Sequence, residues 1–200
     1  MSSKLLDFLK LSLLGNDINP AQSVTDVRVI FDPTLSFDSH ISTVVSSCMS
    51  KSSQISRIRF VFDEQLLETI INALVFSKLY YCSSVWSSSS VCDIRKLHYV
   101  QNLATRIRSA TNLRWLPVKT QLYRRDAALT FKCMTGQAPE YFTSMYITRG
   151  SAYLDCNKTE NVYYKSVSIW SKLDPSLKLC KSPASFRRAL KNDLLKEFLN

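Results

Sequence analysis

The chain has 200 residues, 46% of them hydrophobic, and a formal net charge of +10. That is enough to bury a core in one domain, or one domain and a small appendage. Three glycines in all argue against a β-sandwich of many tight turns and against a glycine-rich phosphate loop. No stretch reaches the roughly 20 apolar residues needed to span a bilayer.

In chain order, Ser3 to Leu14 places Leu5, Phe8, Leu9 and Leu13 on one helical face, stopped by Gly15 and Asn16. Asp7 and Lys10 interrupt its apolar run, so it does not read as a signal peptide. Val27, Val29 and Phe31 alternate with Arg28 and Ile30 before Asp32-Pro33, which predicts one short strand and a turn. A lone strand is not stable, so this one is expected to need a partner from elsewhere.

Phe37 to Arg59 turns helical, with Asp38 or Ser39 as cap and Ile41, Val44, Val45, Cys48, Ile55 and Ile58 inward. Asp63 caps the next helix, whose predicted face is Leu66, Leu67, Ile70, Ile71, Leu74, Val75 and Leu79. The run Ser87 to Ser90 is a loop. A helix from Asp93 to about Ala110 buries Ile94, Leu97, Val100, Leu103, Ala104 and Ile107. After Trp115-Leu116-Pro117, a second helix covers Val118 to Met134 and ends at Gly136 in a left-handed cap. Pro139 opens a short helix through Tyr146, and Gly150 to Asn161 has no periodicity and reads as a loop. Val162 to Trp170 fits a strand as well as a helix, and Pro183 to Leu199 is a helix with Phe186, Leu190, Leu194 and Phe198 inward and Ser182 or Ser185 as cap. The expected fold is mainly α, with one or two short isolated strands.

Charge is concentrated in the middle of this order. Between Arg95 and Lys132 stand nine basic residues and one acid, Asp126, a surplus of eight out of the net +10. Arg95, Lys96, Arg106, Arg108, Arg114, Lys119, Arg124 and Arg125, with Trp115 among them, are the candidate nucleic-acid contacts: a helical hairpin would line cations along a phosphate backbone. Trp115, Tyr99 and Tyr123 would then stack on bases or ribose. The plainer alternative is a solvated basic face with Trp115 packed in the core.

Residues 29 to 191 carry, in order, segments that together resemble one family. These are Val29-Ile30-Phe31-Asp32-Pro33, Ala73-Leu74-Val75-Phe76-Ser77 through Cys82, and Lys96-Leu97-His98-Tyr99-Val100-Gln101-Asn102-Leu103-Ala104. Trp115-Leu116-Pro117-Val118, Phe131-Lys132 with Gly136 to Pro139, and Phe186-Arg187-Arg188-Ala189-Leu190-Lys191 follow. The pattern is similar to that of the reverse transcriptases of jockey-like non-LTR retrotransposons, in the region after the polymerase palm. Tyr80 stands where that family usually has Asp, and Val27 or Arg28 where a Gly is expected; the stretch between Arg108 and Arg114 is shorter.

The resemblance implies a helical, thumb-like region holding RNA or an RNA–DNA hybrid by its backbone, read by shape. It divides the chain into residues 1–36 adjoining a missing palm, a thumb-like unit at 37–147, and a C-terminal segment at 148–200. The family's polymerase turn holds adjacent aspartates for two metal ions. No Asp-Asp occurs here, and Asp63-Glu64 reads as a helix cap, so no catalysis, metal or cofactor is expected of this chain. The six cysteines form no C-x-x-C pair, which fits free thiols in a reducing compartment and an intracellular protein, cytoplasmic or nuclear, with no membrane and no small-molecule substrate. The rival reading is a helical protein-interaction module with no nucleic-acid role. A second basic cluster, Arg187, Arg188 and Lys191, reads as surface charge on an amphipathic helix.

Overall fold

The computed structural model describes residues 11–18, 21–108, 115–142 and 162–199. The fold is mainly helical, with short strands at its start. Strands β1 (Leu11–Leu13) and β2 (Asn16–Ile18) form an antiparallel hairpin, and β3 (Val24–Asp26) and β4 (Val29–Phe31) form another. The helices are α1 (Asp38–Ile58), α2 (Glu64–Ile71), α3 (Ser77–Leu79), α4 (Ser83–Trp86), α5 (Val91–Arg108), α6 (Val118–Met134), α7 (Val162–Lys172), α8 (Pro175–Lys178) and α9 (Pro183–Leu199). A π turn, Asn72–Phe76, joins α2 to α3 without a break.

The hairpins correct two expectations. The predicted helix from Ser3 to Leu14 lies outside the described residues over 3–10, and at its end Leu11–Leu13 is strand, paired with Asn16–Ile18. Leu14 and Gly15, both at positive φ, make the two-residue turn that a hairpin of right-handed twist requires. The strand at Val29–Phe31 is not isolated: its partner is Val24–Asp26, directly before it. The turn between them is Val27-Arg28, again with both residues at positive φ. That conformation suits glycine, which is the residue the resemblance leads one to expect there.

The chain enters α1 through a cap supplied from a distance. Phe37 is the N-cap, at φ 61°, and has no side-chain oxygen to offer; Asp38 and Ser39, the expected caps, stand inside the helix. Asp32 takes over. Its carboxylate accepts from the backbone N–H groups of Thr34 (3.0 Å), Ser36 (3.1 Å) and Phe37 (2.8 Å), and from both hydroxyls nearby. The Thr34 hydroxyl above all, aided by these N–H donors, holds the carboxyl well below the usual carboxylate range. His40 fixes the hairpin to α1: its buried ring accepts from the Ile30 N–H through Nδ1 at 3.4 Å.

Two apolar cores form, and α6 belongs to both. The first gathers Ile41, Val44 and Cys48 of α1, Leu67 and Ile71 of α2, and Leu97, Val100 and Ile107 of α5, together with Val118 and Leu122 of α6. The second joins Ala127, Ala128 and Phe131 of α6 to Ile169 and Leu173 of α7 and to Phe186 and Leu190 of α9. Phe131 and Phe186 stack at 4.3 Å between ring centroids. The segment at 162–172, which fits either period in sequence, is therefore a helix with a core to face.

The π turn adjusts the most apolar segment. Leu67, Ile71, Val75 and Leu79 are all buried, at a spacing of four residues. In an ideal α-helix each such step overshoots a full turn by about 40°, so the stripe would wind off the core. One wider turn absorbs the excess. Leu66 and Leu74, expected inward, are instead 46% and 50% exposed, and Phe76 and Tyr80 take their places. Ile58 is likewise exposed, at the end of α1.

Caps close the remaining helices. Asp63 accepts from the Leu66 N–H at 2.7 Å, as its position before α2 predicts. Ser182, one of the two candidates before α9, accepts from the Ser185 N–H. Gly136, at φ 69°, ends α6: Gln137 N–H reaches Lys132 O and Gly136 N–H reaches Cys133 O, the paired bonds of a left-handed terminus. The helix opened by Pro139 is described only over 140–142, and the loop expected at Gly150 to Asn161 lies outside the described residues.

Between the cores, α6 carries a buried acid. The Asp126 carboxylate accepts from Lys165 Nζ of α7 at 2.7 Å and from the Ser87 hydroxyl at 2.9 Å. Replacing Lys165 with Met leaves that carboxylate shut in with one hydroxyl. The Lys165 side chain is 29% exposed, so water softens the loss: about 2–3 kcal/mol is expected in urea unfolding, below the ~3–5 of a fully buried pair.

A pH dependence follows from His40, whose burial pushes its pKa below the ordinary imidazole value. The unfolded chain takes up a proton near pH 6.5, while the folded chain resists until the pH is lower. The contribution is therefore intact above about pH 7 and is lost as the pH falls below the ordinary imidazole value. His40→Gln should flatten unfolding free energy measured over that interval relative to the parent chain.

Candidate functional site

The structure disperses most of the expected basic groove. Lys96 is bound to Asp93 at 2.8 Å and reaches Ser42 across to α1, so it holds α5 against α1. Arg108 makes an ion pair with Glu68 at 2.9 Å, tying α5 to α2. Arg95 and Arg106 are exposed on α5, and Lys119 is exposed at the start of α6. Arg114 lies outside the described residues. Trp115 is half-buried against the first core, its ring edge-on to Phe76 at 4.7 Å. The Arg108 guanidinium lies 5.9 Å from that ring.

Two of the nine candidates come together in a different place. Arg124 and Arg125 of α6 open into a cleft of about 350 Å³ whose other walls are Lys132 of α6, Arg187 of α9, and Ser83 and Ser84 of α4. Four cations line it and no carboxylate does. The helix spacing explains part of this. Arg125, Ala128, Leu129 and Lys132 recur at three and four residues, so they share a face of α6. Packing supplies the rest, because stacking Phe131 on Phe186 draws α9 onto α6 and carries Arg187 to the cleft.

Arg124 and Lys132 are half-buried there, while Arg125 and Arg187 reach solvent. Burial lowers the pKa of the Arg124 guanidinium, and the charges of Arg125 and then Arg187 lower it further. Arg125 is pushed down by burial and by Arg187, with Tyr80 and then Asp126 opposing; its guanidinium lies 5.2 Å over the Tyr80 ring. A guanidinium remains charged at neutral pH whatever these shifts, so the repulsion persists. The Arg124 Nε is buried and has no hydrogen-bond partner among the described residues. An anion in the cleft would supply both the missing charge and the missing acceptors.

Sequence reasoning missed Arg187, set aside as surface charge, and left Lys132 out of the candidate list. Both lie on amphipathic helices beside a phenylalanine, Phe186 and Phe131, and the meeting of those two aromatics was the signal available. No group of three or more His, Cys, Asp or Glu side chains placed to hold a metal occurs among the described residues. Of the thiols, Cys48 is buried and its pKa is pushed up to about 11 by that burial. No described helix is long and apolar enough to cross a membrane. Models of known protein families give no match to this chain, and neither curated proteins nor solved structures yield a similar one.

If the cleft is short of negative charge, polyvalent anions stabilise the folded chain by binding it in preference to the unfolded one. Tripolyphosphate at millimolar concentration should raise the melting temperature by a few degrees over sodium chloride of equal ionic strength. Arg187→Gln should remove most of that rise. An equal rise in the variant would place the anion elsewhere.

Proposed function

We propose that this chain binds the sugar–phosphate backbone of RNA, or of an RNA–DNA hybrid, at the cleft between α4, α6 and α9, without catalysis of its own. The observation that carries the reading is four cations lining one cleft with no carboxylate in its walls. Ion-paired lysines and arginines contribute little to a polyanion, since their charge is already met; Lys96 and Arg108 are in that position. Arg124, Arg125, Lys132 and Arg187 are not met by any ion pair among the described residues. Contacts of this kind position a backbone and carry no base specificity.

The resemblance to jockey-like reverse transcriptases supports the same conclusion. Lys132 falls within the Phe131-Lys132 match and Arg187 within Phe186-Arg187-Arg188-Ala189-Leu190-Lys191, two segments far apart in sequence that meet at the cleft. In this reading the chain is a thumb-like region, the catalytic aspartates belong to a palm with which it works, and its setting is cytoplasmic or nuclear. No cofactor or small-molecule substrate is called for.

A second reading, a protein-interaction module, is favoured by one observation. Phe60 and Val61, at the turn after α1, are 82% and 78% exposed and invite an apolar partner.

Salt separates the two. Affinity for a short single-stranded RNA, measured from about 50 to 200 mM salt, should fall linearly on logarithmic axes, by roughly 0.7 per phosphate neutralised. Arg125→Gln combined with Arg187→Gln should flatten the slope by about 1 to 2. Binding too weak to measure at the lowest salt would leave the interaction module as the better account.

A further inference from the structure

Arg124 and Arg125 have a second side. Behind them lies another cavity, of about 570 Å³, within the range of pockets that hold small molecules. Three cations line it, Arg124 and Arg125 of α6 and Lys191 of α9, and unlike the first cleft it adds aromatic and amide groups to them. Trp115, half-buried, gives aromatic surface beside the buried Phe76 and Tyr80, while the exposed Asn72 at the head of the π turn and the half-buried Gln121 of α6 give side-chain amides. Neither amide has a hydrogen-bond partner among the described residues. The carboxylate in the wall, Glu68, is bound to Arg108 and so is not available to oppose an anion.

Bare phosphate would use only the cations of such a cavity. An aromatic face and amides that both donate and accept are what a nucleobase needs, one for its ring and the other for its edge. A base inside a continuous duplex exposes neither the full face nor the pairing edge. The π turn adds to the argument, because by widening the helix it sets Asn72 on this wall while Val75 stays in the core.

We infer that this cavity receives one unstacked nucleobase while an adjoining phosphate lies in the cationic cleft across Arg124 and Arg125, which makes the ligand a single strand. The inference rests on the reading of the cleft given above and narrows its substrate class. Arg124 and Arg125 line both spaces, so a nucleotide spanning them would meet the same two guanidinium groups from either side.

The test compares three fluorescein-labelled RNAs of about eight nucleotides, within the range of single-strand site sizes. One is an ordinary single strand, one is abasic throughout with the same phosphates, and one is a blunt hairpin of equal charge. With the full chain, anisotropy titrations at one salt concentration should show the ordinary strand binding at least about fivefold tighter than either of the others. Asn72→Ala with Gln121→Ala should abolish the preference over the abasic strand and leave the salt slope and the melting temperature as they were. Equal affinity for the ordinary and abasic strands overturns the base pocket while the cleft stands. Equal or tighter binding of the hairpin overturns the single-strand assignment. If none of the three binds, the cleft reading falls and the base pocket with it.

Discussion

Asp126 sits near the middle of α6 with its carboxylate withdrawn from water, and the arrangement of the molecule turns on how that charge is met. Before it along the helix, Val118 and Leu122 face the first core; after it, Ala127, Ala128 and Phe131 face the second. A helix with apolar residues toward two different partners cannot be amphipathic in the ordinary one-sided sense. The buried acid marks the changeover. By taking Lys165 from α7 and Ser87 from the loop after α4, it fixes which way each partner lies. An apolar residue at that position would pack against either side, whereas a carboxylate takes the side that supplies donors to its Oδ2.

The cationic cleft is a by-product of that arrangement. Ser83 and Ser84 reach it from the side of the first core, Arg187 from the side of the second, and α6 contributes the floor. Each wall is held by packing that has nothing to do with charge: Trp86 buried on α4, Phe186 stacked on α9. Rigid apolar anchoring is what allows like charges to be kept close, since flexible side chains on free helices would swing apart. The two cavities share Arg124 and Arg125 for the same reason: adjacent residues on a helix diverge enough to line neighbouring spaces, not enough to separate them.

How much of this could be read from the residues depended on the range of the interaction concerned. Helices α5 and α9 were legible, because Leu97, Val100, Ala104 and Ile107, or Phe186 and Leu190, repeat at the helical period, and α6 was bounded by Pro117 before it and Gly136 after it. The face of α2 was misread at Leu66 and Leu74 because a π turn is not written in composition; it follows from core spacing in three dimensions. The hairpin of β3 and β4 was hidden by its turn, since Val27-Arg28 lacks the Asn-Gly type of residue that announces such turns. The basic stretch showed the sharpest limit. Its sequence counts charges but not their partners, and the partners of Lys96 and Arg108 come from α1, α2 and α5 itself, while the neighbour of Arg124 comes from α9.

Residues Val27, Arg28, Leu35 and Phe37 all adopt positive φ, crowded into the short approach to α1. Such conformations are unfavourable for residues with a Cβ, the branched Val27 most of all, and persist only where surroundings impose them. Here the imposing contacts are the Asp32 carboxylate, the buried Val29, Phe37 packed edge-on to Phe31, and the Nδ1 of His40. The approach is thus held down from outside and does little to sustain itself. In native-state hydrogen exchange its amides would open as one small cooperative unit, well before those of α5 and α6, and without the rest of the molecule giving way.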